Sequence, residues 1–200
     1  MVSIDFSPEQ LLEFYRNTSN EGRQAIKEAL GDKLSETLPI IERVKTYDDA
    51  VRELGPNHPY VEFANSASWR YEGKEGADIV AYLKLRVIAA ALNEGWEPQF
   101  TKDETRWYAW YRLYTKEEID DMTDEEKKEI GLLLWGGSAP YGSLCGLACA
   151  NSRNAWSYSS SSFGSRLVFK SQELAEYAAK QFIGIYADFC FKPASDEDKK

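Results

Sequence analysis

Apolar residues follow a helical spacing most clearly over residues 76–95, GADIVAYLKLRVIAAALNEG. Two apolar stripes run along this stretch, and only Asp78, Lys84 and Arg86 form a narrow polar strip between them. A helix that is apolar on most of its sides is buried in a protein core. The pattern therefore predicts a central helix, which ends at Gly95.

Shorter helical patterns precede this helix, and each begins at a recognisable capping residue. In SPEQLLEF, Ser7 is followed three residues later by Gln10, and in TYDDAVREL, Thr46 is followed by Asp49. Both pairs have the spacing of a capping box, in which two side chains satisfy the first backbone N–H groups of a helix. The stretch PNHPY then breaks the chain. We predict a separable N-terminal helical segment over residues 1–56.

The second half of the chain contains strand patterns. RWYAWYRLY (106–114) alternates with the period of two that is typical of a strand. Residues 130–169 contain no Lys, Glu, Asp, Gln or Met, and Gly, Ser and Asn turns divide them into short pieces. The predicted strands are 106–114, 131–136, 143–158 and 165–170.

The stretch SQELAEYAAKQFIGIYADFCF then gives a second long helical pattern, with Ser171 as its N-cap. Its apolar residues fall on one face. We expect a helix over 171–189, with Leu174 and Phe182 buried against the sheet.

Together these elements predict the α+β class. A small antiparallel sheet packs on two main helices, 76–93 and 171–189, with an N-terminal helical segment outside them. The predicted α+β domain spans 57–192, and residues 193–200 form a polar tail.

The net charge of −9 over 200 residues narrows the range of partners. Contact with duplex nucleic acid needs a basic surface, so we expect none. No apolar run is long enough to span a bilayer, and the first residues lack the pattern of a signal peptide. We expect a cytoplasmic or virion-associated protein without a membrane partner. The sequence does not indicate an oligomeric state.

Candidate catalytic and metal-binding residues are few and scattered. The only histidine, His58, is distant in sequence from Cys145 and Cys149. The two cysteines could be small buried thiols, or one of them could form a catalytic dyad with His58. No Walker lysine accompanies the glycine-rich stretches, and the acidic run TKEEIDDMTDEEKKEIG lacks the ligand pattern of a calcium loop. With Cys190, the three cysteines are expected to be free thiols. The sequence predicts no catalytic residue, metal or cofactor.

Residues 137–163 combine aromatic side chains with Ser, Gly and Asn. Tyr and Trp supply large contact areas with few rotatable bonds, and Ser, Gly and Asn supply adaptable hydrogen bonds. This composition favours a surface for an unknown protein or small ligand, and a tightly packed sheet of small residues fits it equally well. The candidate ligand-binding residues are Tyr141, Asn151, Arg153, Asn154, Trp156, Tyr158 and Phe163.

The aromatic strand 106–114 offers another binding interpretation. Its rings could stack on nucleic-acid bases, with Arg106 and Arg112 beside them. The alternative is that half of these rings belong to the core.

The stretches ERVKTYDDAVRELG, AYLKLRVIAAALNEGWEPQF, WYAWYRLY and GSRLVFKSQELAEYAAKQF are distributed over residues 42–182. On these stretches the sequence resembles a group of uncharacterised proteins of gut Bacteroidetes, their phages and their mobile elements. The resemblance implies an origin in a phage or mobile element, and it implies no particular activity.

LWGGS and CANSRNAWSYSSSSFGSRLVF are similar to the C-terminal part of variable proteins diversified by retroelements, whose variable region is C-type-lectin-like. Those systems mutate adenines, mainly in asparagine codons. Between Gly137 and Phe163, every residue except Trp156 belongs to the set that such mutations produce. The chain departs from that pattern because a long helix follows its last predicted strand, and its N-terminal helices have no counterpart there.

We therefore predict a non-enzymatic binding protein of phage or mobile-element origin, with a diversifiable ligand surface at 137–163. The alternative is an intracellular enzyme or nucleotide-binding factor in phage–host conflict. A reverse-transcriptase gene beside a near-copy of the 137–163 codons, differing at adenines, would favour the first class. A deep pocket with convergent polar groups would favour the second.

Overall fold

Helices account for most of the residues that the structure describes. The structure is a computed structural model, and it describes residues 6–31, 34, 37–71, 76–99, 101, 103–135, 145–155 and 165–191. The helices are α1 (Pro8–Asn17), α2 (Asn20–Leu30), α3 (Ile40–Arg43), α4 (Tyr47–Leu54), α5 (Pro59–Tyr71), α6 (Ala77–Asn93), α7 (Lys116–Asp120), α8 (Asp124–Glu129), α9 (Gln172–Gln181) and α10 (Ile183–Cys190). The strands are β1 (Arg106–Tyr114), β2 (Leu133–Trp135) and β3 (Cys145–Ala155), and a 3₁₀ turn spans Ser165–Leu167.

The predicted α+β class, with a small antiparallel sheet packed on two main helices, is wrong. The described residues are mostly helical, and α6 packs mainly against the helices α4, α5 and α10. One reason is that Pro59, in the stretch predicted to break the chain, is instead the first residue of α5. Proline suits that position because the first N–H groups of a helix have no intrahelical partner.

Residues 165–170 do not form the predicted strand. They begin with the 3₁₀ turn, and only Phe169 makes a β-bridge, with Trp107. The backbone groups on either side of Phe169 bond to a side chain and not to a strand. The Asn93 amide donates to the Val168 carbonyl at 2.8 Å and accepts from the Lys170 N–H at 3.0 Å. One side-chain amide thus occupies the place where a neighbouring strand would pair.

The three strands form one small antiparallel sheet in the order β1-β3-β2. β1 has the predicted bounds, and it pairs with β3 from Arg106 opposite Ala155 to Tyr114 opposite Gly146. The register shifts between Trp110 and Tyr111, where β3 carries one additional residue. β3 is therefore the central strand, with a partner on each side.

Two compact units divide the chain, Met1–Arg43 and Val44–Lys200, whereas the sequence placed a boundary after residue 56. The smaller unit has a core of Tyr15, Leu34 and Leu38. Arg23 donates to the Tyr15 and Arg16 carbonyls at 3.1 and 2.6 Å, and so satisfies acceptors at the C-terminal end of α1.

The core of the larger unit forms around α6 and the C-terminal helices. Leu174 and Phe182 are buried as predicted, and α9 packs on β1 and β3. The Tyr177 hydroxyl donates to the Val44 carbonyl, and Gln181 donates to the Lys45 carbonyl, each at 2.8 Å. These two bonds fix α9 to the residues that precede α4.

The acidic run consists of two short capped helices, α7 and α8. Thr115 and Thr123 each form a capping box, with Glu118 and Glu126 respectively. Below them, a small core contains Tyr114, Ile119 and Ala148. The run is therefore a capped surface layer on one side of the sheet.

The capping box at α4 gives a pH-dependent prediction. Burial alone would raise the pKa of the Asp49 carboxyl, but hydrogen bonds from the Thr46 hydroxyl and the Lys45 and Thr46 N–H groups, together with Arg52, lower it. A lowered pKa in the folded state stabilises the protein above the unfolded value of about 3.9, and this contribution is lost as the pH falls through the folded value. Asp49→Asn should cost about 1 kcal/mol at pH 7.

Urea unfolding at pH 7 and at pH 3 measures this difference. The matched control is Asp48→Asn, which makes the same change at the preceding residue, whose side chain is exposed. We expect the cost of Asp49→Asn to shrink between the two pH values. A cost that is the same at both would contradict this account of the cap.

Candidate functional site: a cationic cleft beside helix α6

A cleft of about 570 Å³ lies beside the C-terminal half of α6, within the larger unit. This volume is in the range of small-molecule binding sites. Its apolar walls include Leu54, Ala90, Pro98 and Val168. Its polar and aromatic side chains are His58, Tyr60, Arg86, Asn93, Trp96, Glu97 and Arg166.

The end of α6 shapes one wall of the cleft. Glu94 and Gly95 have φ angles of 50° and 80°, the left-handed conformation that commonly terminates a helix. The Trp96 N–H then donates to the Asn93 carbonyl at 2.9 Å, so the chain turns sharply. This turn places Trp96, Glu97 and Pro98 along the cleft.

The buried Asn93 side chain holds the opposite wall in place. Its two hydrogen bonds join the last residue of α6 to Val168 and Lys170. At the surface, the Lys170 ammonium lies 2.9 Å from the Glu94 carboxylate. We call the two hydrogen bonds of the Asn93 side chain, to Val168 and Lys170, the Asn93 clip. The clip positions Arg166, which lies two residues before Val168, at the cleft.

Arg86 provides a permanent positive charge within the cleft. Its guanidinium carbon lies 4.1 Å from the centre of the Tyr60 ring, a cation–π geometry. Its Nε atom is buried, and among the described residues it has no hydrogen-bond partner. The guanidinium therefore has donor capacity that the described protein groups do not use.

His58 lies against the same tyrosine. Its ring meets the Tyr60 ring edge-on, with centres 5.1 Å apart, and its Nδ1 accepts the Tyr60 N–H at 3.2 Å. Since Nδ1 accepts, the neutral imidazole carries its proton on Nε2. His58 is thus a hydrogen-bond donor at the cleft.

The charge of the cleft is opposite to that of the whole chain. Among the described residues that line it, Arg86 and Arg166 are positive and only Glu97 is negative, while the protein carries a net charge of −9. Arginine stays protonated at all physiological pH values. A guanidinium binds an anion through charge-assisted hydrogen bonds, and at the half-buried Arg86 this interaction is less screened than in water.

The structure places three of the seven sequence-predicted ligand residues. Asn151, Arg153 and Asn154 lie on β3, paired with Trp110, Tyr108 and Trp107 of β1 respectively. Tyr141, Trp156, Tyr158 and Phe163 lie outside the described residues.

The three described residues of the predicted surface lie in the C-terminal half of β3, which spans Cys145–Ala155. The described lining of the cleft includes none of the seven residues.

The base-stacking interpretation of β1 fits only in part. Trp110 is 39% exposed, and the Arg112 guanidinium carbon lies 4.7 Å from the centre of the Tyr114 ring. Arg106, however, is 1% exposed, with its Nε 3.9 Å from a Glu104 carboxylate oxygen. The prediction that Arg106 lies beside stacked bases is wrong, because its guanidinium is buried.

Several other expectations concern metals, thiols and membranes. Among the described residues, no group of three or more His, Cys, Asp and Glu side chains could hold a metal ion. Cys190 is a free thiol, and the side chains of Cys145 and Cys149 lie outside the described part of the chain. None of the described helices is both long and apolar enough to cross a membrane.

Comparisons with known proteins identify no relative of this chain. No protein-family model matches it, and no curated protein or solved structure is significantly similar to it. The resemblances to the Bacteroidetes group and to retroelement variable proteins therefore stay predictions. One sign of the cleft is visible in the sequence, because Arg86 lies in the narrow polar strip of an otherwise apolar helix.

Proposed function

We propose that this protein binds a small anionic ligand in the cleft beside α6. The observation that carries the proposal is the Arg86 guanidinium, which stacks on Tyr60 while its buried Nε has no partner among the described residues. The guanidinium also lines the cleft, and an anion bound there would neutralise its charge through charge-assisted hydrogen bonds. Arg166 and the His58 imidazole line the same cleft and add two further donors.

This proposal agrees with one of the two predicted classes more than with the other. A deep pocket with convergent polar groups is the feature expected of the alternative class, which includes nucleotide-binding factors. The polar side chains that line the α6 cleft support that class. The proposal itself is for binding, and it assigns no reaction. A diversifiable ligand surface at 137–163, and an origin in a phage or mobile element, stay separate proposals that rest on the sequence.

Two variants of the cleft test the proposal. Arg86→Gln and Arg166→Gln each remove one positive charge, and each should weaken binding of pyrophosphate at least tenfold, because a guanidinium–phosphate contact is lost. Isothermal titration calorimetry measures the affinity. The single histidine gives an independent readout, since ligand in the cleft should shift the His58 imidazole signal in a proton–nitrogen NMR spectrum.

The matched control is Arg70→Gln, which makes the same change on the exposed surface of α5. It should leave the affinity within a factor of two. Arg166 is itself exposed, so its variant should fold even if Arg86→Gln does not. The proposal fails if the parent protein binds neither pyrophosphate nor inorganic phosphate, or if all three variants bind equally.

A further inference from the structure

We infer that the ligand of the α6 cleft is a nucleoside monophosphate, a planar base joined through a sugar to a single phosphate. This inference rests on the proposed function and specifies its ligand. It starts from the two kinds of side chain that line the cleft. Arg86 and Arg166 supply positive charge, His58 supplies a donor, and Trp96, Pro98 and Leu54 supply apolar and aromatic surface.

The volume of the cleft argues against a lone inorganic anion. About 570 Å³ is space for a molecule of the size of a drug or a mononucleotide. A single phosphate group would contact the arginines and leave the apolar part of the cleft to water. A ligand that fills the cleft therefore carries a non-polar or planar group as well as the anion.

Trp96 supplies a stacking surface for such a planar group. Its indole is partly buried at the cleft, on the turn that follows α6. Nucleic-acid bases stack on aromatic side chains irrespective of their identity, because every base has a flat π face. Next to it, the exposed Glu97 carboxylate can accept hydrogen bonds from hydroxyl or amino groups, which sugars and bases possess.

The charge balance favours one phosphate over two or three. Among the described residues, two arginines line the cleft against Glu97, and the protein as a whole is strongly acidic. Glycine-rich loops with a lysine, which cradle polyphosphates through backbone N–H groups, are not present in the sequence. Side-chain guanidinium groups alone match the charge of one phosphate monoester.

The test compares ligands that differ by one part at a time. Calorimetry and the His58 imidazole signal are recorded with AMP, GMP, CMP and UMP, and then with ribose 5-phosphate, adenosine and ATP. We expect at least one monophosphate to bind at least tenfold more tightly than ribose 5-phosphate, than its own nucleoside and than ATP. These comparisons separate the contributions of the base and of the phosphate.

Trp96→Ala tests whether the preference for a monophosphate over ribose 5-phosphate depends on the cleft. It should weaken binding of the preferred monophosphate at least tenfold and leave ribose 5-phosphate within a factor of two. Trp69→Ala is the matched control, because Trp69 is 87% exposed on α5, and it should change neither affinity. Trp96→Phe, which retains a stacking ring, should restore most of the lost affinity.

The possible failures are distinguishable. If the monophosphates bind no more tightly than ribose 5-phosphate, or if Trp96→Ala weakens both ligands equally, the inference is wrong and anion binding stands. Tighter binding of ATP than of every monophosphate would also overturn it. If none of the anions binds, the proposed function fails together with the inference.

Discussion

Replacing Phe169 by alanine should lower the free energy of unfolding of the larger unit by about 3–5 kcal/mol. The side chain is fully buried, and it is among the largest fully buried side chains of the described chain. The cavity left by its removal cannot close easily, because the Phe169 backbone is fixed from both sides. Its N–H and carbonyl are bonded to Trp107 at 2.7 and 3.0 Å, and its two neighbours are bonded to Asn93.

Urea unfolding followed by circular dichroism measures the effect. The matched control is Phe63→Ala on α5, where the ring is 62% exposed and its loss should change stability by less than about 0.5 kcal/mol. If the two variants were equally stable, Phe169 would not belong to the core of the larger unit.

Asn93→Ala should have the second-largest effect, a loss of about 2–4 kcal/mol. The substitution removes two hydrogen bonds and leaves the Val168 carbonyl without its partner in a buried position. It should also weaken anion binding, because the clip that positions Arg166 is lost. Thermal unfolding and the pyrophosphate titration measure the two consequences on the same sample.

Asn65→Ala is the control for this prediction, since Asn65 is exposed on α5. It should leave both stability and affinity nearly unchanged. Asn93→Asp adds a second comparison: it keeps the acceptor for the Lys170 N–H but replaces the donor to Val168 by a carboxylate oxygen. A variant at position 93 that retained full stability would contradict the assigned role of the amide.

Features set by neighbouring residues were predictable from the sequence. The capping boxes predicted at Ser7 and Thr46 formed, and Thr115 and Thr123 cap their helices in the same way, because in each case the partner lies three residues away. The bounds of β1 and the start of α9 follow from equally local patterns. A capping side chain competes for nearby backbone groups, so distant parts of the chain change its geometry little.

Features set by distant residues were not predictable. VFK has the pattern of a strand, but the sequence does not reveal that one neighbour of residues 168–170 is the side chain of Asn93, 75 residues from Val168. The cleft, too, is formed by residues that are distant from one another in the sequence. His58, Arg86 and Arg166 come from three separate parts of the sequence, and only Arg86, in the polar strip of α6, stands out there.

The Asn93 clip also determines how late in protein synthesis the cleft can form. A ribosome completes α6 long before it adds Val168 and Lys170, which are 75 and 77 residues from Asn93. Contacts of such sequence separation form late, because the intervening chain must first be made and then closed into a loop. A nascent chain that ends before Arg166 therefore has the Arg86 half of the cleft without the Arg166 half. Anion binding then requires a chain that extends past Lys170, and a ligand present during synthesis would stabilise such chains over shorter ones.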